Sequence, residues 1–239
     1  MEFSKISAPS LKSLFVSQLQ GMILSGELPA GALLPPEREL AERMQVSRAV
    51  VNGGLAELAK QGFLEILPRQ GVRVADYRRK GNLSTLVAIM EYRGGVLGRH
   101  EIRSILEVRR ALEHMAADSA IDNAAESDMM ALGDTVAALA QCETPAGAAE
   151  AAFAFQHTLA LISGNNILPL IYYSFKPAVI TLWIRFCRLY GIEALLHSTE
   201  RLYTHLRARD KRAAAEWIDA YLGEAIDGAH QIYDDPRGA

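Results

Sequence analysis

The stretch SGELPAGALLPPERELAERMQVSRAVVNGGLAELAKQGFLEILPRQGVRV, residues 25–74, decides the fold of this chain. It contains a short helical pattern, a tight turn, a longer helical pattern and two strand patterns joined by a turn: 35–44, 45–47, 48–61, 63–67 and 71–74. This order predicts a winged helix-turn-helix, whose second helix enters the major groove of DNA. Ser47 is placed to cap that helix, since its hydroxyl can accept from a backbone N–H, and Gly62 is placed to end it.

The composition indicates a folded protein without a membrane span. Of the 239 residues 50% are hydrophobic and 22% are charged, which is enough apolar material for a core. Cys142 and Cys187 make neither a disulfide framework nor a metal ribbon, and they fit a reducing compartment. The sequence does not begin with a basic region followed by an apolar run, the pattern of a secretory signal. The apolar segment 167–184 is interrupted by prolines and a lysine, so it is a poor membrane span. We expect a soluble, cytoplasmic protein.

Charge is distributed unevenly along the chain. The formal net charge is −3, but residues 1–80 carry +3 and the remainder carries −6. A basic N-terminal region and an acidic remainder are typical of a DNA-binding domain joined to a domain that does not contact phosphate.

Periodicity predicts a mainly α protein in which an N-terminal winged helix-turn-helix precedes a C-terminal all-α helical bundle. We assign 1–77 to the DNA-binding domain, 78–82 to a charged linker, and 83–239 to an all-α domain, to which the family resemblance described below assigns effector binding and dimerisation. Helical patterns beyond the linker fall at 83–92, 99–122, 127–142, 146–163, 166–189, 192–207 and 211–232.

Residues 1–76 resemble the winged helix of the GntR family of bacterial transcription regulators. The residues that carry the resemblance are Leu28, Pro29, Gly31, Leu34, Pro35, Glu37, Arg38, Glu39, Leu40, Ala41, Val46, Ser47, Arg48, Leu55, Leu58, Gly62, Phe63, Leu64, Gly71 and Val74. The helical remainder is similar to the effector domain of the FadR branch of that family. The similarity rests on Glu107, Arg109, Leu112 and Glu113, on the Ser163-Gly164-Asn165 break, and on Arg207, Arg209 and Asp210.

The resemblance implies that Arg38 and Arg48 contact DNA bases, and arginine pairs well with guanine O6 and N7. Ser47 and Arg48 also lie at a helix N-terminus, which favours phosphate. The wing adds three candidates for minor-groove or phosphate contact: Arg69, Gln70 and Arg73. The alternative for each arginine is a solvated surface charge.

The middle of the second helix departs from the family. Relatives usually carry Arg-Glu-Ala where this chain has Asn52-Gly53-Gly54. Each interior glycine costs about 1 kcal/mol of helix stability relative to alanine. Asn52 can still read adenine through N6 and N7, so we expect an operator that differs from the common family sequence.

Many FadR-branch domains hold a divalent metal with one aspartate and three histidines. Counting from the Ser163-Gly164-Asn165 break and from Asp210 places those positions on Ala152, Gln156, Thr199 and Tyr221. None of the four is a strong ligand, and His157 is one residue out of place. We expect a domain without metal and without any other cofactor.

A metal-free bundle resembles the fatty-acid-responsive member of the branch, which binds long-chain acyl-CoA. A small organic or sugar acid held by arginine is the other candidate effector. The candidate anchors are Arg109, Gln156, His157, Asn165, Arg185 and Tyr221. For Arg109 the alternative is a buried ion pair with Glu113, and for His157 and Tyr221 it is an ordinary place in the core.

These patterns together predict a ligand-responsive, sequence-specific transcription regulator. Two wings on a two-fold axis match a palindromic operator, so the resemblance and the motif imply a homodimer on double-stranded DNA. An enzyme is disfavoured, because the chain has no glycine-rich phosphate loop, no Gly-x-Ser-x-Gly elbow and no HExxH helix. A constitutive DNA-binding protein without an effector is the remaining alternative.

Overall fold

The structure is a computed structural model that describes residues 9–92 and 99–232. The chain divides into two compact units, Met1–Gly94 and Gly95–Ala239. Both units are mainly helical, and the strands of the described residues form one two-stranded sheet. The predicted fold class, a winged helix-turn-helix followed by an all-α bundle, is confirmed.

The N-terminal unit has the predicted order of elements. Residues 9–92 form α1 (Leu11–Leu24), α2 (Glu37–Arg43), α3 (Arg48–Lys60), β1 (Leu64–Leu67), β2 (Gly71–Val74), α4 (Tyr77–Lys80) and α5 (Leu83–Glu91). The two strands are antiparallel, with Leu64 opposite Val74 and Leu67 opposite Gly71. Arg69 and Gly71 both have positive φ, 63° and 101°, and these conformations let the chain reverse at the tip of the wing.

The core of this unit lies between α1, α3 and the wing. Phe15, Leu58 and Phe63 are all at most 2% exposed, and burying a side chain of this kind contributes roughly 1.5–3 kcal/mol. Ser47 caps α3, because its hydroxyl accepts from the N–H of Val50 at 3.3 Å. The local signals that the sequence gives for α3 therefore act as predicted.

The segment predicted as a linker, 78–82, lies inside the N-terminal unit. It overlaps α4 and leads into α5, which packs on the N-terminal core. Gln20 Nε2 donates to the carbonyl of buried Ala88 at 2.6 Å, and Thr85 Oγ1 donates to the carbonyl of Gln61 at 2.5 Å. Because these contacts fix α5 to the DNA-binding unit, the division between the two units falls after α5.

The C-terminal unit is a bundle of helices. Residues 99–232 form α6 (Arg99–Asn123), α7 (Glu126–Ala140), α8 (Pro145–Ile162), α9 (Leu168–Tyr190), α10 (Ile192–Arg207) and α11 (Lys211–Ile226). Helix α8 contacts α6, α7, α9 and α10. Its buried alanines, Ala148, Ala149 and Ala152, let the neighbouring helices approach closely, while Phe155 and Leu159 fill the centre of the bundle.

Arg209 fixes the C-terminal end of α6. Its guanidinium donates to the carbonyls of Ala120, Ile121 and Ala124 at 3.2, 2.7 and 2.6 Å. The last carbonyls of a helix have no partner within it, and a cation is favoured there. Across residues 9–92 and 99–232 no helix has the length and apolarity that crossing a membrane requires.

Candidate functional site

The start of α3 exposes the side chains that the sequence assigns to base reading. Ser47 caps the helix, and its first residue, Arg48, is exposed. Asn52 lies one turn further along the same face and is also exposed. Since the free N–H groups and the dipole of a helix N-terminus attract phosphate, this end of α3 can contact DNA through both its backbone and its side chains.

Arg38 lies in the first turn of α2 and is accessible to a ligand. Its side chain is 81% exposed, and its Nε donates to Glu42 Oε1 at 2.9 Å. An exposed pair of this spacing contributes only about 0.3–0.5 kcal/mol. Arg38 can therefore exchange Glu42 for a phosphate or a guanine edge at little cost.

A polar contact joins the two helices of the motif. With its amide nitrogen turned towards α2, Asn52 donates to Glu37 Oε2 at 2.6 Å and lies 3.2 Å from Oε1. Glu37 is the first residue of α2. Glu37 could not be predicted as the partner of Asn52 from the sequence, because nothing in a helical period links positions on two different helices.

The two glycines of α3 have different surroundings. A Cβ at Gly54 would overlap the ring of Phe15, so this glycine lets α1 pack directly on α3. A Cβ at Gly53 would meet only the aliphatic stem of Lys12, at 3.7 Å. Packing against Phe15 thus requires a glycine at position 54, which helix propensity alone does not reveal. No such contact requires a glycine at position 53.

We therefore expect alanine to have opposite effects at these two positions. Gly53→Ala should raise the free energy of unfolding by about 1 kcal/mol through helix propensity. Gly54→Ala should lower it by about 1 kcal/mol or more, because overpacking a closed core costs roughly 1–3 kcal/mol. Urea unfolding of the two variants checks this, and a similar gain from both would contradict the packing.

The polar side chains of the wing differ in exposure. Arg69 and Gln70 are exposed at the tip. Arg73 is instead half-buried and donates to Glu65 Oε2 through Nη2 at 2.6 Å and Nε at 3.2 Å. Lys80 of α4 donates to the other oxygen of the same carboxylate, at 2.7 Å. Arg73 braces the wing against Glu65, so the wing residues at the tip are better placed to contact DNA.

The two cations make the stability of the wing depend on pH. Hydrogen bonds from Lys80 and Arg73 lower the pKa of Glu65 from 4.5 to about 2. The stabilising contribution of Glu65 is therefore fully present above pH 4.5 and is lost as the pH falls towards 2. We expect Glu65→Gln to lower the urea midpoint clearly at pH 7 and less at pH 3.5. An equal difference at the two pH values would contradict the arrangement.

The C-terminal unit contains a cavity of about 310 Å³. It lies between α6, α9, α10 and α11, and its wall is mainly apolar, with Leu182, Trp183 and Trp217 among the lining residues. Arg109 and Tyr221 are two of the polar residues on that wall. The volume is at the lower end of the range of about 300–1,000 Å³ that small-molecule sites occupy.

A buried carboxylate lies behind the polar part of the wall. Glu113 is fully buried, and its Oε1 accepts from Gln156 Nε2 at 2.6 Å and from the hydroxyl of Tyr221. Arg109 Nε lies 3.2 Å from Glu113 Oε2. Burial raises the pKa of Glu113 above its usual 4.5, while the charge of Arg109 and the hydrogen bond from Gln156 oppose the rise.

Arg109 connects this carboxylate to the cavity. Its guanidinium carbon lies 4.8 Å from the ring centroid of Trp183 and 5.8 Å from that of Tyr221. Within the described part of the chain, Arg109 Nε and Glu113 Oε2 are buried and lack a partner with hydrogen-bond geometry. The ion pair with Glu113 considered from the sequence is present, and it does not remove Arg109 from the cavity wall.

The positions that the family uses for a metal do not fit one here. Ala152, Gln156, Thr199 and Tyr221 line one small polar recess next to Arg109. Gln156 and Tyr221 donate to Glu113, and the hydroxyl of Thr199 donates to the carbonyl of Leu195. The described residues include no group of three or more histidine, cysteine, aspartate or glutamate side chains that could hold a metal ion.

Four predicted anchors do not line the cavity: Gln156, which lies behind its wall and donates to Glu113, and His157, Asn165 and Arg185. His157 stacks on Phe153, with ring centroids 5.7 Å apart, and also contacts Tyr173. Asn165 lies just before α9, and its Oδ1 accepts from the N–H groups of Ile167 and Leu168. The structure therefore brings together Arg109, Gln156 and Tyr221 and leaves the other three outside this group.

The cavity lining also includes residues that were not predicted as effector anchors from the sequence, among them Trp183, His197 and Trp217. Val179, Trp183 and Phe186 follow each other at helical spacing along α9, so one face of this helix could have been assigned to a cavity. His197 and Trp217 come from two later helices, and their rings are 5.9 Å apart. No local signal joins them to α9.

A winged helix whose second helix exposes its N-terminus, followed by a helical domain with an apolar cavity, is the architecture of a DNA-binding regulator. The model described as "Bacterial regulatory proteins, gntR family" matches residues 15–74, and that of the FCD domain matches residues 104–224. The chain belongs to the GntR family of transcriptional regulators and carries an FCD domain.

Similar proteins agree with this assignment. The HTH-type transcriptional regulator Rv0494 of Mycobacterium tuberculosis is 30% identical over 210 residues, which cover 84% of this chain and 81% of that protein. The fatty acid metabolism regulator protein of Shewanella halifaxensis is 33% identical over 156 residues, 64% of this chain and 63% of its own. A solved structure reported with the finding that Lar controls the Listeria monocytogenes agr system shares the fold, with a TM-score of 0.58, 17% identity and coverage of 94% and 99%.

Proposed function

We propose that this protein is a ligand-responsive regulator that binds double-stranded DNA in a sequence-specific way in the cytoplasm. The single observation that carries the ligand response is the cavity of about 310 Å³, whose wall includes Arg109 and Tyr221. Both residues also contact the buried carboxylate of Glu113. The proposed DNA contacts are Arg38, Ser47, Arg48, Asn52, Arg69 and Gln70, with Arg73 supporting the wing.

The proposed effector is bound without a metal. The mainly apolar wall favours the acyl chain of an acyl-CoA, and one relative is named a fatty acid metabolism regulator protein. A small organic or sugar acid held by Arg109 is the other proposed effector. Arg109 can serve either one, because its guanidinium lies on the cavity wall and can donate two parallel hydrogen bonds to the carboxylate of a small acid or to a phosphate of an acyl-CoA.

The proposed mechanism requires a homodimer. Two winged helices related by a two-fold axis read the two halves of a palindromic operator. The effector then shifts the population between two dimer geometries, which differ in how well the recognition helices reach both half-sites. A protein that stays monomeric at micromolar concentration would contradict this mechanism.

A thermal-shift screen, run with and without chelator, tests the effector. Long-chain acyl-CoA, free fatty acids and small organic and sugar acids are compared, and a ligand at 100 times its dissociation constant should stabilise by about 2.7 kcal/mol. Tyr221→Phe should reduce the shift, and Tyr173→Phe, on the exposed side of α9, should not. A shift that chelator abolishes would contradict the metal-free site, and no shift with any compound would contradict the ligand response.

A further inference from the structure

Asn52 and Glu37 form a contact between the two helices that present the protein to DNA. Asn52 is exposed on α3, one turn after Arg48, and its terminal amide lies against the carboxylate of Glu37; with the nitrogen on that side, it donates to Glu37 Oε2 at 2.6 Å. Glu37 is only partly exposed at the start of α2. A carboxylate only accepts hydrogen bonds, so this contact fixes which end of the Asn52 amide faces Glu37.

We propose that Glu37 is a specificity-determining residue, which orients Asn52 so that its Oδ1 faces the major groove. In that groove adenine N6 and cytosine N4 offer hydrogen-bond donors, while guanine O6 and N7 and thymine O4 accept. An amide that presents its oxygen therefore selects adenine or cytosine at the base it contacts. Glu37 acts through Asn52 and makes no base contact of its own.

The requirement is for a group at position 37 that only accepts hydrogen bonds. Glutamine can accept from Asn52 through its carbonyl oxygen but can also donate to Asn52 through its own amide, so it supports both orientations, whereas alanine supports neither. Both Glu37→Ala and Glu37→Gln should therefore release the orientation of the Asn52 amide. Glu39, on the same helix, is paired with Arg43 and provides a matched control.

Binding-site selection from a pool of random duplexes tests the proposal. The wild-type protein first defines the operator, and Asn52→Ala identifies the base pair whose preference depends on Asn52. We expect Glu37→Ala to weaken the preference at the same base pair by a factor of about 10, the scale of one good base contact. Glu37→Gln should weaken it as well, and Glu39→Ala should leave it unchanged.

Other results would overturn the proposal. Undiminished affinity for an operator in which that base pair lacks its major-groove amino group, with purine in place of adenine or 2-pyrimidinone in place of cytosine, would mean that the amide does not present its oxygen to a donor. A loss at a different base pair in Glu37→Ala would mean that Glu37 contacts DNA directly. Unchanged selection by Glu37→Ala, with thermal unfolding confirming that the variant is folded, would mean that Asn52 needs no support. The inference rests on the proposed sequence-specific binding, and a wild-type protein that selects no motif would refute both together.

Discussion

Replacing Arg109 with methionine is expected to lower the free energy of unfolding by about 3–5 kcal/mol at neutral pH, because it leaves the buried carboxylate of Glu113 without its cation. Methionine keeps most of the volume that packs against Trp183, so the loss measures the charge more than the packing. Without Arg109 the pKa of Glu113 rises further, since the arginine is the largest influence that lowers it. Urea unfolding measures the effect.

The direction of the pH dependence follows from the same pair. A carboxyl whose pKa is raised in the folded protein contributes its full stability below the unfolded value and loses it as the pH rises through the folded value. The loss of unfolding free energy caused by Arg109→Met should therefore be smaller at pH 5 than at pH 8. Adding Glu113→Gln removes the charge, keeps an acceptor for Tyr221, and should restore part of the stability and flatten the pH dependence. A deficit in the double variant equal to that in Arg109→Met would contradict this account.

Arg48→Ala is expected to cause the largest loss of DNA recognition. A paired contact between arginine and guanine contributes about 1–3 kcal/mol of base discrimination. Arg48 is exposed at the capped N-terminus of α3, where helix and side chain both favour DNA. The free energy of binding to the selected operator should weaken by about 1–3 kcal/mol, while the free energy of binding to a scrambled duplex changes much less. Fluorescence anisotropy at one fixed salt concentration measures both.

Arg43→Ala is the matched control for Arg48→Ala. Arg43 is an exposed arginine at the end of α2, paired with Glu39. Removing a cation that serves only the general field weakens binding to all sequences alike. If the ratio of specific to non-specific affinity fell as much in Arg43→Ala as in Arg48→Ala, base reading by Arg48 would be excluded.

The fold could be predicted from the sequence where local signals define it. Ser47 and Gly62 mark the two ends of α3, and Asp210 caps the last long helix through the N–H of Ala213. The position of α5 could not be predicted, because its contact with Gln20 spans 68 residues of sequence. Its neighbours, YRRKGN, are charged and have no apolar period, so a linker was the reasonable interpretation.

The candidate sites were predictable only in part, for a related physical reason. Arg109 and Glu113 are four residues apart on one helix, a spacing that brings side chains together and can be read directly. Gln156 and Tyr221 come to the same carboxylate from two other helices, and only counting along the family pattern suggested them. The cost assigned to Gly54 from helix propensity missed its contact with Phe15, which lies 39 positions earlier in the sequence.

The affinity for the selected operator tests the central claim most directly. It is measured in chelator, without ligand and then with long-chain acyl-CoA or each of the small organic and sugar acids. Allosteric coupling of about 1–3 kcal/mol changes such an affinity by roughly 5- to 150-fold. We predict a change in that range with acyl-CoA or with one of the small acids, and a smaller change in Tyr221→Phe. An operator affinity that none of these compounds alters, in a protein that binds its operator specifically, would contradict ligand control and leave a constitutive DNA-binding protein.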